Sequence, residues 1–225
     1  MRQTETYLAK KVIDYLEEQH WDIYQEVQFK ELQGVADICA VRDGKVWIIE
    51  CKTSLTFTVL EQARAWRCHY RSIAIPEGMN LRGRWTAYDI AKYYFKIGVL
   101  VIDQHNDVIE RVSAPLMREF HQSSKKMISR LKPEHKFYSE AGSNSGRRWT
   151  PFQETMSHVK SFITSHPGCT LKEIIDDSGK GHYANRTSAA SGIHVALENY
   201  SPWCDVKIEN GHRTYFVKKG GNDGR

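Results

Sequence analysis

The chain has 225 residues, of which 40% are hydrophobic and 26% are charged, and its formal net charge is +5 at pH 7. This length is enough for one large domain or two small ones. No apolar run approaches the roughly 18 residues of a membrane span, and the polar start MRQTETY does not resemble a signal peptide. We therefore expect a cytoplasmic protein with no membrane partner.

The first predicted element is a helix in TETYLAKKVIDYLEEQHW, residues 4–21. Leu8, Val12 and Leu16 fall on one helical stripe, and Glu5 lies at about the same angle one turn earlier. This spacing predicts an acid that points toward the core. A simpler explanation is an exposed first-turn glutamate favoured by the helix dipole, and the pattern alone leaves both open.

The next segment, GVADICAVRDGKVWIIECKTS at 34–54, predicts a β-hairpin. Its two arms are rich in Val, Ile and Trp, and the Asp-Gly dipeptide at 43–44 is typical of a two-residue type I′ turn. Counting back from this turn along both arms makes Asp37 face Glu50. Two acids thus become cross-strand partners inside otherwise apolar runs.

The hairpin register predicts a charged cluster on one face. Directly opposed residues have Cβ atoms about 4.5 to 5.5 Å apart, and like charges repel there. Lys52 follows Glu50 by two positions and emerges on the same face, whereas Cys51 points to the other side. Taken singly, each residue is explained as a solvated strand end. Together, in an apolar setting, they predict a site that needs a cation.

Asp37, followed thirteen positions later by Glu50-Cys51-Lys52, resembles the signature of the PD-(D/E)XK nucleases, which share the restriction-endonuclease-like fold. The tripeptide Gly-Val-Ala stands before Asp37, so the proline of the family name is absent. The resemblance implies an α/β fold with a mixed sheet. Hard oxygen ligands suggest Mg²⁺, with Mn²⁺ as an alternative, because zinc prefers His or Cys.

The resemblance also implies roles for the residues of the cluster. Asp37 and Glu50 would hold the metal, together with the main-chain carbonyl of Ile49 or Cys51 and waters. Lys52 would orient the attacking water or help to deprotonate it. Glu5 matches a helical glutamate that often lies beside the metal in that family. No organic cofactor is expected.

A helix is predicted after the hairpin in TVLEQARAWRCHYR, residues 58–71, with an apolar stripe that runs on through Trp66 to Tyr70. Gln62 precedes Trp66 by four positions, a spacing similar to the Gln-x-x-x-Tyr element of some PD-(D/E)XK nucleases. The resemblance implies that Gln62 positions water, substrate or a second ion. A polar residue that borders a core stripe is the plainer alternative.

The remaining elements complete a predicted first domain, residues 1–132. Its expected order is αβββαβαβ, with later strands in RSIAIP, IGVLVID and NDVIERV and a helix in TAYDIAKYYFKIG. The helix PLMREFHQSSKKMISRLKP follows, and we expect its Lys125, Lys126 and Arg130 to form a solvated face.

Charge and composition divide the chain. Residues 1–120 carry 16 Lys and Arg against 17 Asp and Glu, a net charge of −1, whereas residues 121–225 carry 16 against 10, a net charge of +6. Gly, Ser and Asn cluster in EAGSNSGRRWTP, so 133–150 is predicted to be a linker. The basic second part suggests a nucleic acid partner.

The region 151–219 resembles a small winged helix-turn-helix domain, and 220–225 is expected to be a flexible tail. Three amphipathic helices, the second opened by the capping box Thr170 to Glu173, precede a hairpin signal at Asn210-Gly211. Polar residues of the third helix and of the wing suit a groove of DNA. The alternative is a winged helix that contacts a protein. The residues predicted to bind nucleic acid are Lys180, His182, Arg186, Thr187, Ser191, His194, His212 and Arg213.

These features predict a Mg²⁺-dependent nuclease that acts on DNA, with endonucleolytic attack and a winged-helix domain that docks the substrate. Two alternatives stay open at this point. One is a catalytically silent DNA-binding or regulatory protein with the same fold, and the other is a nuclease directed at RNA. A homodimer is an open option for its assembly.

Overall fold

The structure is a computed structural model that describes residues 3–29, 34–78, 84–143, 148–209 and 211–218. The chain divides into two compact units, Met1–Trp149 and Thr150–Arg225, and each is considered by itself. Within the described ranges, every helix is too short or too polar to cross a membrane.

The first unit contains four α-helices and six strands among its described residues, together with short 3-10 and π-helical turns. Its elements are α1 (Glu5–Glu18), β1 (Asp22–Phe29), β2 (Gly34–Arg42), β3 (Lys45–Cys51), α2 (Phe57–Ala65), β4 (Tyr70–Pro76), α3 (Arg84–Asp89), a π-helical turn (Ile90–Phe95), β5 (Gly98–Ile102), β6 (Val108–Val112), a 3-10 turn (Arg118–Phe120), α4 (His121–Ile128) and a 3-10 turn (Pro133–Lys136).

The six strands form one mixed sheet in the order β1-β2-β3-β4-β5-β6. The pairs β3–β4 and β4–β5 are parallel, and the other three pairs are antiparallel. The predicted mixed α/β fold is therefore confirmed at this level. The observed order continues beyond αβββαβαβ with β6, the strand predicted in NDVIERV, which pairs antiparallel with β5.

The β2–β3 hairpin has the predicted turn and register. Asp43 and Gly44 both adopt positive φ, 51° and 69°, as a type I′ turn requires. The ladder pairs Arg42 with Lys45 and continues in one register to Ile38 opposite Ile49. The next step of that register places Asp37 opposite Glu50.

Helices cover both faces of the sheet. Leu8, Val12 and Leu16 of α1 are fully buried, and they pack with Ile38 and Ile49 on one face. Strand residues that point the other way pack with α2, with the π-helical turn and with Met127 of α4. The apolar stripe predicted for α1 is confirmed by this packing.

Several predicted helices are shorter than expected. α2 ends at Ala65, so the predicted continuation of its stripe to Tyr70 was wrong. The backbone becomes extended at Trp66 (φ −65°, ψ 118°), and Tyr70 already belongs to β4. The helix expected at 86–98 is α3 followed by the π-helical turn, which ends at Lys96 with φ 57°.

The predicted linker is in part an integral piece of the first unit. The side chain of Gln25 donates to the Lys136 carbonyl (3.0 Å) and accepts from the Ala141 N–H (3.0 Å). His135 and Ala141 are buried. Residues 133–143 therefore pack against the sheet, because their main-chain groups find partners on β1, and residues 144–147 lie outside the described residues.

The second unit has its three predicted helices and its hairpin. Its elements are α5 (Pro151–Ser165), β7 (Cys169–Thr170), α6 (Leu171–Ser178), α7 (Arg186–Asn199), β8 (Cys204–Glu209) and β9 (His212–Val217). The strands form a sheet in the order β7-β9-β8, in which the short β7 was not predicted. The expected capping box of α6 is present. Asn210, residue 219 and the expected tail at 220–225 lie outside the described residues.

Candidate functional site

Three buried acids stand in a row across three neighbouring strands. The β1–β2 ladder keeps one register on both sides of Glu26, which places Glu26 opposite Asp37. The hairpin register places Asp37 opposite Glu50. Glu26, Asp37 and Glu50 are only 4%, 9% and 6% exposed, respectively. Buried carboxylates that face each other repel unless a cation offsets their charge.

Lys52 supplies positive charge to this row. Its Nζ lies 2.9 Å from Asp37 Oδ2, 3.5 Å from Glu50 Oε2 and 3.6 Å from Glu5 Oε2. The structure thus brings together the four residues that the hairpin register and the α1 pattern placed on one patch. Glu5 reaches the cluster from the first turn of α1, where Thr4 caps the helix by accepting from the Tyr7 N–H.

Two further hydrogen bonds fix the orientation of the carboxylates. Asp37 Oδ2 accepts from the main-chain N–H of Cys51 at 2.8 Å. Glu50 Oε1 accepts from the indole N–H of Trp66, also at 2.8 Å. Trp66 lies beside Glu50 because the backbone becomes extended directly after α2. One oxygen of Asp37 is therefore held by the hairpin and one oxygen of Glu50 by the residue that follows α2, which limits the rotamers that each side chain can adopt.

Glu26, Gly142 and Arg148 border the site on another side. Glu26 has φ 50°, and its Oε1 accepts from the Gly142 N–H (2.9 Å), while Oε2 lies 3.5 Å from Arg148 Nε. Gly142 has φ +71°, and a Cβ there would lie 2.7 Å from the Glu5 carbonyl carbon. Only glycine fits such a close approach, so this contact sets the position of the α1 N-terminus.

A cavity of about 490 Å³ opens over these groups. Its lining includes Glu5, Asp37, Glu50 and Lys52, and also Gln62, whose side chain is exposed on α2. The predicted placement of Gln62 at the cluster is thereby observed, although its role stays a prediction. The volume lies within the range of ligand-binding clefts.

The electrostatics of the site reflect an excess of negative charge. Burial, followed by repulsion from Asp37, raises the pKa of Glu50 from 4.5 to about 7, although Lys52 opposes the change. Burial and Asp37 also raise the pKa of Glu26. Burial alone would lower the pKa of Lys52, but attraction to Asp37 and Glu50 outweighs it and raises the pKa. A bound cation would stabilise the ionised acids.

The donor atoms suit Mg²⁺ or Mn²⁺. Within the described part of the chain, no three His, Cys, Asp or Glu side chains form a complete metal-binding group. Mg²⁺ does not need one, because proteins usually bind it through one or two carboxylates while waters and substrate phosphates fill the other positions. Asp37 and Glu50 provide two such oxygens. The carbonyl of Cys51 as a ligand stays a prediction, and the observed contact of Cys51 is its N–H.

The basic residues predicted to bind nucleic acid in the second unit are in part engaged with acids. Arg186 Nη2 lies 2.7 Å from Asp176 Oδ1 and donates to the Ile175 carbonyl at 3.0 Å. Arg213 Nε lies 3.0 Å from Glu198 Oε1. These ion pairs place both guanidinium groups in intramolecular contacts that the sequence did not predict.

The other predicted residues of this unit fall into two groups. His194 is partly exposed, with Nδ1 3.1 Å from the Tyr215 hydroxyl and Nε2 3.4 Å from Glu198 Oε2. The ring of His182 lies 2.9 Å from Thr155 Oγ1. The exposed members of this set are Lys180, His182, Thr187, Ser191 and His212.

Four contributors to the site were missed by the sequence analysis: Glu26, Trp66, Gly142 and Arg148. Glu26 carries a signal, since it is an acid within the alternating run DIYQEVQF, but its alignment with Asp37 requires the β1–β2 register. Trp66 was assigned to a helical core stripe. The other two fall in the segment that was assigned to a linker.

Comparison of the chain with models of known protein families, with curated proteins and with solved structures gave no match. The arrangement of the buried acids, Lys52 and their orienting contacts is therefore what supports a function for this protein.

Proposed function

We propose that the chain is a metal-dependent nuclease that hydrolyses phosphodiester bonds in DNA. The observation that carries the proposal is the convergence of Asp37, Glu50 and Glu5 on the Lys52 ammonium, at 2.9 to 3.6 Å. Buried like charges on adjacent strands destabilise a fold. Their presence in one cavity is explained if the row binds a divalent cation and a phosphate.

Each residue has a role that follows from its contacts. Asp37 and Glu50 would hold the cation, with Cys51 N–H and Trp66 N–H fixing one oxygen of each. A bound Mg²⁺ would polarise the phosphate and lower the pKa of the attacking water. The Lys52 ammonium can donate hydrogen bonds to that water or to a phosphate oxygen, which offsets the charge that develops in the transition state.

The reaction is hydrolysis of one phosphorus–oxygen ester bond. The oxygen of water forms a bond to phosphorus, the bond to the leaving oxygen breaks, and the leaving oxygen takes up a proton. Glu5 and Gln62 border the same cavity and would position water, substrate or a second ion.

We also propose that the first unit has a restriction-endonuclease-like core and that the second unit is a winged helix that docks DNA. In support of the first, the acid row lies on a hairpin inside a mixed sheet that α1 and α2 cover on opposite faces. In support of the second, three helices precede a β-hairpin, and Thr187 and Ser191 are exposed on the third helix.

Purified full-length protein should be incubated with labelled single-stranded DNA, duplex DNA, branched DNA and RNA, in Mg²⁺, in Mn²⁺ and in EDTA. We expect cleavage of at least one DNA substrate with the metal ions and none in EDTA. The RNA arm distinguishes a DNA nuclease from one directed at RNA, because a site that recognises the phosphate would not distinguish the two sugars.

Asp37→Asn tests the assignment with little change in shape, since the amide oxygen can still accept from the Cys51 N–H. The matched control is Asp43→Asn, which makes the same replacement at the exposed hairpin turn, where asparagine is also favoured. Cleavage should disappear in the first variant and persist in the second. Equal activity in the two variants would exclude Asp37 from the chemistry.

A further inference from the structure

A second cavity in the first unit is basic where the acid site is acidic. Its volume is about 950 Å³, and one acid, Glu61, is among the residues that line it. The cations in its lining are Arg64, Arg67, Arg71, Lys96, Lys126 and Arg130. They come from α2, β4, the end of the π-helical turn and α4 with the residues after it. Lys126 and Arg130 were expected only to form a solvated face.

Most of this positive charge is not neutralised within the molecule. Among the described residues, no carboxylate lies within ion-pair distance of Arg64, Arg67, Lys96 or Lys126, and these side chains are exposed. A group of unneutralised cations around a concavity concentrates the field there and attracts a polyanion.

Arg71 adds a buried charge to the wall of the cavity. It is 4% exposed, and its guanidinium donates to the carbonyls of Arg64 (2.6 Å), Trp66 (3.2 Å), Phe95 (3.3 Å) and Lys96 (3.3 Å). These bonds tie the end of α2 to the end of the π-helical turn. They satisfy donors but cancel no charge, so Arg71 also favours an anion in the cavity.

Aromatic side chains are interleaved with these cations. Tyr94 lines the cavity and is 78% exposed, and Phe95 and Phe120 also line it. The guanidinium of Arg64 lies 5.9 Å from the Phe95 ring centroid. The π-helical turn Ile90–Phe95 presents Tyr94 beside Lys96, and such turns are frequent at functional sites. Cations that track a backbone and aromatic rings that stack on bases together bind unpaired nucleic acid.

The two cavities are neighbours. Ala65 lines both, and the next residue, Trp66, donates its indole N–H to Glu50 while its carbonyl accepts from Arg71. The acid row by itself repels phosphates, whereas the basic cavity attracts them. A nucleic acid strand bound in the basic cavity would thus be held next to the carboxylates of the acid row, although those carboxylates alone would repel its phosphates.

We infer that the cavity around Arg64, Arg67 and Tyr94 is a binding site for single-stranded nucleic acid, and that a strand bound there leads to the acid site. A concavity of this volume lies in the range of small-ligand pockets, so it takes nucleotides of an unpaired strand rather than a duplex. The binding stands independently of catalysis. Only the connection to the acid site rests on the proposed nuclease function.

The test measures binding by the full-length chain in EDTA, in the Asp37→Asn background, so that no cleavage interferes. The probes are fluorescein-labelled oligothymidylate of about 12 nucleotides, a duplex of equal length and free thymidine monophosphate. Arg64→Ala with Arg67→Ala is compared with Lys10→Ala and Lys45→Ala, which remove the same charge from exposed positions outside the cavity. Tyr94→Ala is compared with Tyr94→Phe, which keeps the ring.

We expect the arginine pair to weaken oligothymidylate binding at least about tenfold and to lower the salt slope by about 1.4 if each residue contacts one phosphate. Tyr94→Ala should weaken oligothymidylate binding by about 5- to 150-fold, the range for loss of one stacked base, whereas Tyr94→Phe and the lysine pair should bind nearly as tightly as the parent protein. Circular dichroism checks that each variant is folded, and Lys126→Ala on α4 tests the same cavity from another helix.

Any one of four results would overturn the inference. Equal losses for the arginine pair and the lysine pair would mean that only net charge matters. An unchanged affinity in Tyr94→Ala, or an equal loss for duplex, would remove the preference for single strands. Thymidine monophosphate that binds as tightly as the oligomer would make the cavity a nucleotide pocket. Failure of the wild-type protein to cleave any substrate would refute the nuclease proposal but not this binding.

Discussion

The stability of the metal-free protein should fall as the pH rises from about 5 to 8, and Glu50 should cause much of this fall. Its pKa is about 7 in the folded chain, against an ordinary value of 4.5. Between these two values the folded state retains a proton that the unfolded state has released. Unfolding therefore releases a proton, and the free energy of unfolding decreases with increasing pH.

The size of the effect follows from the difference between the two pKa values. A difference of about 2.5 corresponds to about 3 kcal/mol, fully developed above pH 7 and absent below pH 4.5. This is a large fraction of the stability of a typical domain, about 5 to 15 kcal/mol. Glu50→Gln removes the titration but can still accept from the Trp66 N–H, so it should be the more stable protein at pH 8.

Urea unfolding in EDTA at several pH values measures this difference, and Glu18→Gln, at an exposed position on α1, is the matched control. Mg²⁺ at a concentration that saturates the wild type should restore its stability at pH 8 but have much less effect on Glu50→Gln, because a neutral amide is a far weaker ligand for the metal than an ionised carboxylate. If wild type and Glu50→Gln showed the same dependence on pH, the assignment of Glu50 as a strained buried acid would be wrong.

Three further outcomes are expected. Lys52→Ala should lower the cleavage rate by a factor of about 10² to 10⁴ without changing the affinity for the metal. A single-turnover rate within about twofold of wild type would show that Lys52 has no role in the reaction. Gly142→Ala should lower the free energy of unfolding, measured by urea titration, by about 1 to 3 kcal/mol more than Gly44→Ala does. Both glycines have positive φ, but only a Cβ at Gly142 would meet the α1 backbone. Equal losses in the two variants would contradict this close contact. The double variant Arg186→Ala with Arg213→Ala should weaken duplex binding by less than about threefold, because both guanidinium groups already form ion pairs with carboxylates of the same chain. Fluorescence anisotropy in Ca²⁺ measures this affinity. A tenfold loss would show that these ion pairs break when DNA binds.

The central part of the site could be predicted because it depends on local rules. A two-residue turn with positive φ at both positions fixes the register of the hairpin, and the two-residue period then fixes which side chains share a face. Asp37, Glu50 and Lys52 follow from these rules alone. Glu5 follows from the angle of α1, although its proximity to Lys52 depends on how α1 packs against the sheet.

The rest of the site depends on contacts between segments far apart in sequence. Glu26 belongs to the row only because β1 pairs with β2. Glu26 also has a positive φ, which no local sequence pattern predicts. Gly142 and Arg148 come from a stretch with the composition of a linker, which packs because its main chain finds partners on β1 and α1. The predicted end of α2 was also too late, because the helical spacing of apolar residues continues to Tyr70 and contains no signal for the change to extended backbone at Trp66.

The basic cavity was missed for a different reason. Residues 1–120 have a net charge of −1, which gives no hint of a basic surface in the first unit. The fold separates the charges, placing acids in the row around Asp37 and collecting cations from α2, β4 and α4 in the neighbouring cavity. A count along the chain averages over this separation, and only the packing of the helices on the sheet reveals it.

The measurement that tests the proposed function most directly is a Mg²⁺ titration of the single-turnover cleavage rate, on the best DNA substrate, for wild type and for Glu50→Gln. The wild-type rate should rise from zero in EDTA and saturate, as binding of a cation at the acid row requires. Glu50→Gln should remain inactive or need far more Mg²⁺, while the control Glu18→Gln follows wild type. Cleavage that is independent of Mg²⁺, or a Glu50→Gln titration that overlays the wild-type curve, would contradict a metal-dependent phosphodiesterase at this site.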